Sequence, residues 1–151
     1  QLLTLELEDE YHLIGIHSTE EDYRLAYLIN AHLKTRLIRF KEVLDFKDSE
    51  AEFPLFEYKD ESAFMDYYLI NNKHNLIVHN ADDDSLFRGT YRTTSYLIPE
   101  KRNVDFFLKI SGNCLPNRIT GLVKKLNSID QIITSYTIDP ESLKSKENLI
   151  F

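Results

Sequence analysis

Apolar residues in this chain come in short runs, and the spacing between them changes from two to about 3.6 along its length. Leu2-Leu3-Thr4-Leu5-Glu6-Leu7 alternates after Leu3, a half-buried strand pattern that also suits a short helix. Tyr11 to His17 reads as a buried strand. Ser18-Thr19 followed by Glu20, Glu21 and Asp22 marks a helix start, because hydroxyls and carboxylates satisfy first-turn N–H groups and complement the dipole. Leu25, Leu28, Ile29 and Leu33 then share one face, with Ala26 and Ala31 allowing close approach. This spacing predicts a helix over about residues 20 to 34.

Leu37-Ile38-Arg39-Phe40 opens a strand running towards Phe46, followed by a charged loop from Lys47 to Glu52. Phe53 to Tyr58 and Met65 to Asn71 read as aromatic-rich strands around the acidic turn Lys59-Asp60-Glu61. Leu76-Ile77-Val78 is a further apolar run, and Asn80-Ala81-Asp82-Asp83-Asp84 is the clearest turn signal. Leu86 to Leu97 adds one or two strands broken near Gly89, which completes an antiparallel meander.

Beyond Pro99 the order becomes strand, helix, strand. Val104 to Ile110 is a nearly continuous apolar strand, Ser111-Gly112-Asn113 turns the chain, and Pro116 suits a first helical turn. Ile119, Leu122, Val123 and Leu126 form one stripe, with Lys124 and Lys125 near the negative end of the helix dipole. Ile132 to Ile138 closes the unit as a strand. Two one-sided helices bury their stripes most simply on one face of a single sheet. The expected fold is therefore α+β: two helices on one face of an antiparallel-rich sheet, in split βαβ or ferredoxin-like units flanking the meander.

Composition narrows the possibilities. A chain of 151 residues fits one domain spanning residues 1–151 and buries about two-thirds of its unfolded surface. Nine Tyr and nine Phe supply ample core material. Cys114 stands alone, which suits a reducing compartment. No apolar run approaches the roughly 18 residues of a membrane span, and no basic, apolar leader is visible at Gln1. These features imply a cytoplasmic protein with no membrane partner. The net charge of −7 repels phosphate backbones and argues against nucleic-acid binding.

Catalytic and metal signatures are weak. His12 and His17 fall on opposite faces of a strand, and His74 and His79 beside Asp82-Asp83-Asp84 lack ligand spacing, so neither metal nor cofactor is expected. Cys114 sits near a helix start, where a dipole lowers a thiol pKa, but a lone Cys is more often a small buried hydrophobe. No nucleophile elbow, P-loop or dinucleotide fingerprint occurs. Ser111, Gly112 and Asn113 are ligand-binding candidates, because free N–H groups before a helix attract anions; ordinary helix entry is the competing reading.

The segment Ile98-Pro99-Glu100-Lys101-Arg102-Asn103-Val104-Asp105-Phe106, with the ending Lys144 to Phe151, resembles the uncharacterised bacterial IPExxxVDY family. Phe106 stands where the family name has Tyr, and the resemblance runs from Tyr11 onward. It implies relatives but no chemistry. Glu100, Arg102 and Asp105 are its polar candidates, either holding loop N–H groups or, with Tyr96, forming a polar site. Val104 to Ile138 is also similar to half of an ACT-type regulatory domain.

The leading expectation is a non-enzymatic interaction or assembly module, with an ACT-like small-molecule sensor as the alternative and an enzyme using Glu100 and Asp105 third. Leu149, Ile150 and Phe151 end the chain with three large apolar groups, expected to dock on this domain or on a second copy. A homodimer through a sheet edge or through that tail is the partner expectation, alongside an unidentified protein partner.

Overall fold

The computed structural model describes residues 10–40, 44–45, 52–79 and 90–151. Its sheet elements are β1 (Tyr11–His17), β2 (Ile38–Arg39), β3 (Leu44–Asp45), β4 (Glu52–Phe53), β5 (Leu55–Asp60), β6 (Met65–Asn71), β7 (Lys73–His79), β8 (Thr90–Tyr96), β9 (Phe106–Gly112) and β10 (Thr134–Ile138). The helices are α1 (Asp22–Leu33) and α2 (Pro116–Asn127), with short 3-10 turns at Pro99–Lys101, Pro140–Ser142 and Lys146–Leu149. No helix among the described residues is long and apolar enough to cross a membrane.

Six strands form one sheet in the order β10-β1-β9-β6-β5-β2, with every neighbouring pair antiparallel. Because β9 and β10 both oppose β1, they run parallel to each other, and α2 is the crossover between them. That is a split βαβ unit. With β1, α1 and β6 it makes a ferredoxin-like βαββαβ core in an α+β fold, extended at one edge by β5 and β2.

Strand alternation divides the core into two layers. Phe106, Leu108 and Ile110 of β9 join Ile14, Ile16, Met65, Tyr67 and Leu69 beneath both helices. The helices contribute Leu25, Leu28, Ile29 and Leu33 from α1, and Ile119, Leu122 and Leu126 from α2. Phe107 points the other way, into a cluster with Leu13, Leu55 and Ile70. Among the described residues no helix covers that second face; Leu97, Ile98 and Val104 from the loop before β9, and Leu143 and Leu149 from the tail, bury it instead. β9 is thus covered on both sides, which accounts for its nearly unbroken apolar sequence.

Several boundaries differ from the sequence expectation for local reasons. α1 stops at Leu33 because Lys34 takes a left-handed conformation with φ 60. Ser18 does not cap α1 at its N-cap position, which is Glu21. Buried, it accepts from the Glu20 N–H (3.2 Å) and donates to the Gln131 carbonyl (2.8 Å), tying the α1 entry to the loop before β10. Ala26 packs inward as expected, whereas Ala31 is exposed. Of the strand expected from Leu37 to Phe46, the described residues form β2 and β3, and residues 41–43 and 46 lie outside them. Among the described residues β7 and β8 pair only with each other, as a ribbon separate from the main sheet, so the meander there is shorter than the sequence suggests. The expected elements at Leu2–Leu7, Asn80–Asp84 and Leu86–Gly89 lie outside the described residues.

Leu149 is fully buried although it is third from the end of the sequence. Leu149→Ala is expected to destabilise the protein by about 2–5 kcal/mol in equilibrium denaturation. A loss below about 0.5 kcal/mol, the size of a surface substitution, contradicts a tail that is part of the core.

Candidate functional site

β6 ends at Asn71, and the next residue is the centre of the junction. Asn72 is fully buried. Its Nδ2 donates to the carbonyls of Lys101 and Val104, both at 2.8 Å, and its Oδ1 accepts from the Ile98 N–H at 2.8 Å. Its own N–H donates to the Asp105 carbonyl (2.8 Å), and its carbonyl accepts from the Leu97 N–H (2.9 Å). A buried backbone group without a partner costs about 1–3 kcal/mol. One amide therefore satisfies backbone groups at both buried ends of the loop, Ile98 and Val104, and at half-buried Lys101 between them. Only an amide offers two donors and an acceptor in this compass; Asp lacks the donors.

Glu100 faces the C-terminal tail. Its carboxylate accepts from the Lys144 N–H and from the Ser145 N–H, the latter at 2.7 Å. Slight burial pushes this carboxyl up, but hydrogen bonds from its own backbone N–H and from Ser145 and Lys144 outweigh that and hold it below its ordinary value. Asp105 faces the opposite way. One carboxylate oxygen accepts from the Ser18 N–H (2.9 Å) and the other pairs with Lys73 Nζ (3.0 Å). Arg102 lies over the Tyr96 ring, 5.6 Å from its centroid. The two carboxylates hold separate segments, and Arg102 packs on an aromatic ring.

The tail completes the junction. Asn148 Nδ2 donates to the Leu97 carbonyl (2.8 Å), and Phe151 meets Tyr68 edge-on, with centroids 5.3 Å apart. Buried Lys109 donates to the Leu149 carbonyl (2.6 Å), with its ammonium 4.4 Å from the Phe151 ring centroid and 4.6 Å from that of Tyr11. The tail therefore lies on its own sheet. Ile150 alone of the last three residues is 72% exposed.

Ser111 and Gly112 continue β9 instead of forming a free turn. Gly112 has φ +102, and a Cβ there would collide with the Phe64 carbonyl oxygen, so the glycine serves a close backbone crossing. The Asn113 N–H donates to that same carbonyl at 2.9 Å. The donor a ligand would need at Asn113 is thus already used. Beside it, Gly112, Cys114, His12 and Glu141 help line a cavity of about 290 Å³. His12 Nε2 lies 3.3 Å from the Cys114 carbonyl oxygen, a proximity of residues 102 apart that spacing does not reveal. Burial pushes the Cys114 thiol up, only partly offset by Arg118, which disfavours the thiolate a nucleophile needs.

His12 and His17 do point to opposite faces: His17 Nε2 lies 2.8 Å from the Tyr136 hydroxyl, on the tail side. Among the described residues no three His, Cys, Asp or Glu side chains gather as a metal site. Comparison of the chain with protein-family models, with curated proteins and with solved structures finds no match.

A carboxyl whose folded pKa is depressed contributes stability above its unfolded pKa and loses it as pH falls through the folded value. The Glu100 clasp should therefore open on acidification below the ordinary 4.5. The hydrogen-exchange protection factors of the Lys144 and Ser145 amides, the intrinsic rate at each pH divided by the measured rate, should fall there from their pH 7 values, and Glu100→Ala should remove the protection at every pH. Equal protection in that variant contradicts the clasp.

Proposed function

We propose that this chain is an interaction module of the IPExxxVDY kind that works as a homodimer through the outer face of α1. The observation that carries this reading is a self-complementary stripe. Tyr23, Tyr27 and Ala31 recur at helical spacing opposite the buried face of α1, with Glu20 and Lys34 just beyond its two ends, and Tyr23 and Tyr27 are 65% and 66% exposed. In an antiparallel two-fold pairing centred on Tyr27, that ring meets its own copy, Tyr23 lies over the partner's Ala31, and Glu20 faces the partner's Lys34. Residue i then meets j while j meets i, as an isologous contact requires. Tyrosines supply rigid contact area, and the charged ends fix the antiparallel register. The Glu20–Arg24 ion pair, 4.0 Å apart and solvent-exposed, opposes this little.

Two features favour α1 over the sheet edge and the tail as the contact. At the outer edge of β10 the Ser135 N–H donates to Asn127 Oδ1 (2.7 Å) and its carbonyl accepts from Asn127 Nδ2 (3.2 Å), so a side chain already fills the middle of that edge. The tail, for its part, is occupied with its own sheet.

The small-molecule-sensing reading has separate support in a cation-lined cavity between the helices, away from the Ser111–Asn113 turn.

Sedimentation velocity tests the pairing. The wild-type chain should dimerise with a Kd on the order of 10 µM, as a small contact implies. Tyr27→Glu, which sets two carboxylates against each other, should give monomers. Glu20→Lys should weaken the dimer, and adding Lys34→Glu should restore it. A wild-type monomer at hundreds of micromolar, or a dimer indifferent to Tyr27→Glu, contradicts the proposal.

A further inference from the structure

We infer that the cavity between the C-terminal end of α1 and the flank of α2 is a binding site for a small oxyanion, a phosphate or carboxylate group on a compact organic molecule. The cavity holds about 390 Å³, within the range of about 300–1,000 Å³ typical of small-ligand sites. Among the described residues Lys34, Arg118 and Lys125 line it, with Asp60 as the one acid. Three cations against one carboxylate is a local reversal in a chain of net charge −7. Arg118, Gly121 and Lys125 sit three and four residues apart, so α2 presents all three on one side. Lys34 follows directly on α1 and is itself the left-handed residue that ends that helix.

The remaining lining suits an anion as well. Tyr67 is 4% exposed, and burial pushes its hydroxyl up despite a hydrogen bond with Arg118. The phenol keeps its proton as a donor. Asp60 draws on Arg118, but its carboxylate is also held by the Ser62 hydroxyl (2.7 Å) and the Ala63 N–H (3.2 Å) of its own turn. The carbonyl end of α1 adds a partial negative charge, smaller than any one of the three cations.

Gly121 is an independent sign. Glycine weakens a helix interior, yet a Cβ at this position meets nothing within 4 Å. Packing does not require the glycine. The volume it leaves open belongs to the cavity, and a side chain there would project into the space a ligand needs. Arg118 offers a planar fork for two oxygens of one anion, and the two lysines supply unoriented charge. Lys34 is common to this site and to the proposed dimer contact, whereas Arg118, Gly121 and Lys125 belong to the cavity alone, so variants at those three positions separate failure of the site from failure of the dimer.

NMR titration of the full chain with inorganic phosphate, and separately with citrate, decides it, with ionic strength matched by sodium chloride. Saturable shifts should localise at the amides of Lys34, Gly121 and Lys125, and the tighter arm assigns the anion to phosphate or to carboxylate. Arg118→Gln and Lys125→Gln, the latter at an exposed position, should each weaken binding by about tenfold or more. Gly121→Leu should abolish it with melting temperature held or raised. Absence of a localised, saturable shift in both arms overturns the site, as do shifts that survive unchanged in Lys125→Gln and Gly121→Leu.

Discussion

The buried amide of Asn72 is the constraint on which the non-helical half of this fold depends. The loop from Leu97 to Asp105 buries Leu97, Ile98 and Val104 while Pro99, Glu100, Arg102 and Asn103 stay exposed, and the backbone groups at its buried ends need partners. Asn72, at the end of β6, supplies them to Leu97, Ile98, Lys101, Val104 and Asp105. With the loop fixed, Ile98 and Val104 can bury on the second face, and Glu100 and Asp105 acquire defined positions. Glu100 then reaches outward to the tail, and Asp105 reaches across to Ser18 at the entry to α1. The three segments that frame the fold meet through one short motif.

The need for such a junction follows from the sheet. A ferredoxin-like unit places its helices on one face only, and the other must be covered or left wet. Here it carries Leu13, Leu55, Ile70 and Phe107, far too apolar for solvent. The loop and the tail form an irregular third layer, and irregular chain brings unpaired backbone groups that side chains must satisfy. Asn72, Glu100, Asn148 and Lys109 do so from four positions.

Periodic segments were the legible part of the sequence. α1, α2 and β9 fall within a few residues of their expected spans, because stripes and continuous apolar runs directly reflect which faces are buried. The docked tail was also legible, since Leu149-Ile150-Phe151 is too apolar to fray. Asn72 was not: Asn is usually exposed, and Asn71-Asn72 after a strand reads as an ordinary turn. The separation of β7 and β8 from the main sheet was equally hidden, because alternation gives a strand without naming its neighbour. For Glu100 and Asp105 the reading as backbone acceptors agrees with the geometry, whereas the pairing of either with Arg102 does not occur among the described residues. The gathering of Lys34, Arg118 and Lys125 depends on how α1 and α2 pack, which no local spacing encodes.

If the motif is an architectural junction, Asn72 and Glu100 must act through the same loop although they touch different groups. A double-mutant cycle on folding stability with Asn72→Ala and Glu100→Ala measures this directly. Asn72→Ala alone should cost on the order of 3 kcal/mol, for the buried groups it leaves unpaired. Once it is made, most of the cost of Glu100→Ala should vanish, giving a coupling of at least about 0.5 kcal/mol. Additivity of the two costs, or an Asn72→Ala protein as stable as the wild type, contradicts the account.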